Sequence, residues 1–176
     1  MDLNQLLEEL KRVSGGEGFV QDQEMSKTSR RRRVWVTADR RNFRSVILKL
    51  VEMYTYPQLS FIVAQDLGDR LQLIYSFEVN SGKPLEAVEV SVKVDIPKDD
   101  PRIATITDMF PGAEVYEREA QEMIGVDVVG LPDKRRLLIP EDFPEGVFPL
   151  RLDEKGIPPE LWKKKSPHPL EGDGNE

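Results

Sequence analysis

Apolar residues recur every three or four positions in four stretches of the chain and alternate or cluster in four others. Leu3, Leu6, Leu7, Leu10 and Val13 form one helical stripe, which "SGGEG" ends. "VWVTA" (34–38) reads as a strand. Asp39 is then placed to cap a helix carrying Phe43, Val46, Ile47, Leu50, Val51 and Tyr54 on one side, with Pro57 closing it. Three strands are predicted at 59–65, 70–79 and 86–96. In the last, Val88, Val90, Val92, Val94 and Ile96 alternate with Glu89, Ser91, Lys93 and Asp95. Asp100 as N-cap and Pro101 at the first helical position predict a short helix through Phe110, with Ile103, Ile106 and Phe110 on one side. A further helix follows, with Ala113, Tyr116, Ala120, Met123 and Ile124 on its apolar stripe and Gly125 as C-cap. Clean alternation means a sheet with one face on helices and one in water. The expected class is therefore α+β: a small, mostly antiparallel sheet, amphipathic helices on one face, and an extended proline-rich C-terminal arm.

The arm is read from a change in pattern. Seven of the 13 prolines lie between Pro140 and Pro169, and no helical or alternating period survives there. A boundary near Pro140 divides a domain, 1–139, from an arm, 140–176. The arm carries Phe143, Phe148 and Trp162, large groups that a solvated tail lacks, whereas the terminal "EGDGNE" has nothing to bury and is expected to be disordered. No apolar run reaches the length of a membrane span, and no signal peptide is expected.

Composition removes most catalytic equipment. There is no cysteine, so thiolate metal sites, iron–sulfur clusters and cysteine nucleophiles are excluded; the single histidine, His168, lies in the arm. No catalytic, cofactor-binding or metal site is expected in this chain. A net charge of −7 opposes general nucleic-acid binding. The charged fraction of 32%, with no cysteine, leans toward a hyperthermophilic source. "RRRR" (30–33) reads as a solvated loop or strand start, or as a patch facing an acidic partner. Glu114, Glu117, Glu119 and Glu122 cluster on one predicted helix, but no E-x-x-H pair accompanies them. They read as a solvated face with a Glu114–Arg118 i,i+4 pair. A carboxylate enzyme using Glu117 and Glu122, and a binding module using the arginine run, stay open on this ground alone.

Taken together, "FPGAEVYEREAQEMIGV" (110–126), "DKRRLLIPEDF" and "PLRLD" resemble the signature of the C subunit family of complex I, the NADH-quinone oxidoreductase. That family is shared with energy-converting membrane-bound hydrogenases and related archaeal complexes. The match falls on Phe110, Pro111, Ala113, Glu117, Arg118, Glu119, Met123, Gly125, Asp133, Arg135, Arg136, Leu138, Pro149, Leu150 and Arg151. Glu122 stands where the family has aspartate, Ile124 an aromatic, Val115 tryptophan, Leu131 histidine and Leu152 lysine, which favours the hydrogenase-type branch. The resemblance implies a subunit without its own cofactor, on the cytoplasmic side of the membrane. It would brace a hydrogenase-like large subunit and a small iron–sulfur subunit that hold the clusters and any nickel–iron centre. Neither nucleic acid nor a homo-oligomer is expected. It also implies that Glu117, Arg118, Glu119, Arg135, Arg136 and Arg151, with Phe143, Phe148 and Trp162 of the arm, serve as scaffold and partner interface, Glu117 and Arg118 by fixing the helix and its neighbours, Arg135 and Arg136 by pairing with partner carboxylates.

Overall fold

The computed structural model describes residues 3–26, 29–83 and 86–152. A five-stranded sheet runs in the order β1-β2-β5-β4-β3, from Gly18–Ser26 (β1), Ser29–Ala38 (β2), Gln58–Asp66 (β3), Arg70–Val79 (β4) and Val88–Pro97 (β5). Its pairings are antiparallel except β2 with β5, which are parallel. Two helices, Leu3–Ser14 (α1) and Phe43–Met53 (α2), pack on each other and on β1, β2 and β5. A third, Ala113–Ile124 (α3), lies against β3. Short strands Arg102–Ala104 (β6) and Asp127–Val129 (β7) pair in parallel as a second sheet.

The alternation in β5 becomes burial. Val90, Val92, Val94 and Ile96 have no exposed surface and meet Leu71, Leu73, Tyr75 and Phe77 of β4 and the apolar stripes of α1 and α2. On the opposite face Glu89 accepts from Arg33 (2.6 Å) and Ser76 (3.2 Å), and Lys93 lies 4.5 Å over the Trp35 ring. The arginine run therefore belongs to β2, held partly by β5, rather than to a loop.

Three local expectations are corrected. Residues 101–110 are not a helix. Arg102–Ala104 pair with β7, Thr105 N–H donates to the Val129 carbonyl (2.9 Å), and Asp127 N–H donates to Pro101 (2.8 Å). The Asp100 carboxylate binds Arg40 (2.8 Å) and Arg102 (2.6 Å) instead of capping amides, and the β-branched Ile103, Thr105 and Ile106 suit the extended path. Asp39 does not cap α2. Its carbonyl closes a turn on the amides of Asn42 and Phe43, so the helix begins four residues later with Asn42 as N-cap. β1 is an addition to the predicted elements, because its sequence, GFVQDQEMS, has too few apolar residues for an alternating signal; pairing with β2 supplies its stability.

Two leucines of α2 separate burial from propensity. Leu50 is 0% exposed and Leu48 is 50% exposed. Leu50→Ala should lower unfolding free energy by about 2–5 kcal/mol and Leu48→Ala by no more than about 0.5 kcal/mol, read from urea denaturation.

Candidate interface site

The four glutamates of α3 divide among different environments because helical geometry turns successive residues by about 100°. Glu117 faces the core and has no exposed surface. Its carboxylate accepts the Ile106 N–H (3.0 Å) and the Thr105 hydroxyl (2.5 Å). The Thr105 carbonyl in turn accepts from Arg44 of α2, whose guanidinium also grips Asp108 (2.9 and 2.6 Å). Burial pushes the Glu117 carboxyl above its ordinary value, against the lowering effect of Thr105, Ile106 and Arg44. Nearby Tyr75 is fully buried, and its hydroxyl has no hydrogen-bond partner among the described residues; burial, with the charge of Glu117, pushes its pKa well up. The solvated Glu117 read from the residues alone is therefore corrected: its carboxylate is an internal tie between α3, the 105–108 turn and α2, in keeping with the helix-fixing role that the family resemblance implies.

Arg118 and Glu122, four residues apart on one side of α3, face the segment after β7. The Arg118 side chain is only 12% exposed. It donates to the Arg135 carbonyl (3.0 and 2.8 Å) and the Arg136 carbonyl (3.0 Å), and it pairs with Asp133 (3.4 Å) and more distantly with Glu114 (3.9 Å). Glu122 accepts the amides of Leu137 and Leu138, the latter at 2.8 Å. Arg135 closes a fork on Asp133 (2.7 Å), and this, with the Arg135 amide and Arg118, holds that carboxyl far below its ordinary value. Arg136 turns back to the carbonyls of Pro140 (2.5 Å) and Glu141 (3.3 Å). Arg118, Glu122 and Arg136 thus grip the backbone of 135–141, and Leu137 and Leu138 are left exposed beside a groove of ≈ 760 Å³.

The remaining residues named from sequence take separate positions. Glu119 is exposed on α3. Phe143 and Phe148 are half-buried around a recess of ≈ 230 Å³ against Gln121 and Glu122. Gly125 has φ +79°, and a Cβ there would come within 2.5 Å of the Phe148 ring, so glycine is required both by the helix end and by that contact. Leu150 N–H donates to the Met123 carbonyl (3.0 Å), and Arg151 lies over Phe148 at 5.5 Å. Trp162 lies outside the described residues. Glu122 enters the sequence reading as part of a solvated face and as a departure from the family pattern, although it supplies a principal grip on the loop. Its signal is the i,i+4 spacing from Arg118.

The pairing of a polar α3 with a backbone-gripped loop falls inside a recognised unit: residues 36–160 match the respiratory-chain NADH dehydrogenase 30 Kd subunit family. The chain belongs to that family. Among its relatives, the membrane-bound hydrogenase subunit beta of Pyrococcus furiosus is 40% identical over 139 residues, covering 79% of each chain. The C subunit of the NADH-quinone oxidoreductase of Chloroherpeton thalassium is 35% identical over 105 residues, 59% of this chain but 42% of that one. A chain of the membrane-bound sulfane sulfur reductase, an archaeal respiratory membrane complex, superposes with a TM-score of 0.68 over 98% of this chain and 96% of its own; at 20% identity it shares the fold. Among the described residues no helix is long and apolar enough to cross a membrane, and no three His, Cys, Asp or Glu side chains cluster as metal ligands.

Glu117 generates a pH test. An acid whose folded pKa is raised binds protons more tightly when folded. Its contribution is fully present below the unfolded value and is lost as pH rises through the folded one. Glu117→Gln, which keeps the shape without the charge, should therefore gain stability relative to the native chain as pH rises from the ordinary glutamate range, about 4.3, through the raised folded value. Glu117→Ala should instead lose stability throughout, by about 1–3 kcal/mol for each orphaned donor. Paired denaturation curves across that range check both.

Proposed function

We propose that this chain is a non-catalytic assembly subunit of an energy-converting membrane-bound hydrogenase, bracing a hydrogenase-like large subunit and a small iron–sulfur subunit at the cytoplasmic face of the membrane. Family membership makes it a subunit of a complex of the membrane-bound hydrogenase or complex I type. Identity of 40% to a hydrogenase subunit over 79% of each chain supports the hydrogenase reading. The observation that carries the assembly role is the loop 135–141, whose backbone is held by α3 and by Arg136 while Leu137 and Leu138 stand outward. A loop ordered before binding loses little entropy on docking, so its apolar groups can be used for association.

Electron transfer and ion translocation belong to neighbouring subunits on this reading. The sequence supplies no cysteine and a single histidine, so the clusters and any nickel–iron centre are assigned to other chains. The likeness to the C subunit of a NADH-quinone oxidoreductase supports a second reading, the same bracing role in a quinone-reducing complex.

Two measurements test the proposal. Leu138→Asp should leave the melting of the isolated chain nearly unchanged, because the side chain is 58% exposed. It should weaken recovery of the large subunit by at least about tenfold, since burying one leucine is worth about 1.5–3 kcal/mol. Co-purification from the native source with a tagged chain reads this directly, and undiminished recovery sinks the role given to the loop. Metal analysis of the separately purified chain should find no stoichiometric iron or nickel; a bound cluster would overturn the non-catalytic assignment.

A further inference from the structure

One stretch of the arm is held by groups that lie outside the matched motifs. Asp66, the last residue of β3, has no exposed side-chain surface. Its carboxylate accepts the Gly68 N–H (2.8 Å), the Leu152 N–H (2.8 Å) and the Lys98 ammonium (2.7 Å). Lys98 also donates to the Leu152 carbonyl (3.2 Å), and Arg151 donates to the Lys98 carbonyl (3.4 Å). Burial pushes the Asp66 carboxyl up, but Lys98 and the two amides outweigh it and hold it below its ordinary range.

Both backbone polar groups of Leu152 are thus taken by one ion pair. With Arg151 turned inward over Phe148, its neighbours point the other way, and Leu150 and Leu152 are 59% and 67% exposed. We propose that Asp66 and Lys98 form a clasp that positions the arm for assembly, gripping Leu152 so that Leu150 and Leu152 are presented to an apolar recess of the large subunit. Fixing two leucines in water gains nothing, and ordering the backbone that carries them costs entropy. The ordering is useful where the same leucines are buried by another protein, because the arm then docks already shaped. Asp66 and Lys98 act through the arm and are positioning residues. The inference rests on the assembly role proposed above.

The full-length chain, tagged in its native source, provides the test through two readouts: hydrogen exchange at the Leu152 amide in the purified chain, and recovery of the large subunit. Asp66→Ala should accelerate Leu152 exchange and reduce recovery, each by about tenfold or more. Lys98→Met should do the same while keeping the side-chain stem, which guards against a folding defect in the first variant. Lys98→Arg, which preserves charge and donors, should restore both readouts. Leu150→Ser with Leu152→Ser should lose the partner and keep the amide protected. Unchanged exchange in both clasp variants overturns the inference, and so does normal recovery once protection is lost. A dimer of the native chain that the double leucine variant dissolves would give the surface to a second copy and overturn it too. If the native chain recovers no neighbour at all, the assembly role fails and the inference with it, and that outcome is seen before any variant is made.

Discussion

The buried carboxylate of Glu117 is the tie on which the placement of α3 against its neighbours depends. A charge without solvent must find donors inside the protein, and the donors here are an amide and a hydroxyl of the turn that follows β6. That requirement ties α3 to the turn, whose Thr105 carbonyl in turn accepts from Arg44 on α2. Three segments distant in sequence are located by one side chain. The cost of desolvating it appears in its raised pKa.

Once Glu117 fixes the rotation of α3, the direction of its other polar residues follows. Glu114, Arg118 and Glu122 recur at helical spacing along one side, and the segment from Asp133 to Leu138 lies beside that stripe. The charges are directed at backbone carbonyls and amides of the same chain, where charge-assisted bonds are stronger than neutral ones. The surface left outward is consequently apolar at Leu137 and Leu138, with the charged Arg135–Asp133 fork at its side. The arm continues this logic. Phe148 closes on Gly125, Leu150 bonds to Met123 at the end of α3, and Leu152 is gripped by Asp66 and Lys98. Residues 140–152 accordingly rest on the domain that precedes them.

Much was legible in the sequence itself. Period-3.6 stripes located α1, α2 and α3, and alternation located β5, because in each case one face is buried and the side-chain pattern records it. The ordered motif from Phe110 to Arg151 indicated the family, since fifteen specific residue types in register are improbable by chance. Composition determined that the chain has no thiolate ligand, which no tertiary arrangement can alter.

Tertiary structure decided the rest. A helix-start signal at Asp100 and Pro101 and helical spacing of Ile103, Ile106 and Phe110 point to a helix at 101–110, but pairing with β7, more than twenty residues later, overrides them. β1 exists because β2 is beside it, and the parallel neighbour of β2 is β5, a pairing across some fifty residues that no local pattern encodes. A glutamate, an arginine and a second glutamate on one helix read alike in sequence as a solvated face. Only the packed structure distinguishes Glu117, which has no exposed surface, from Arg118 and Glu122, which hold a loop, and from Glu119, which is exposed, because burial and donor placement are set by segments distant along the chain.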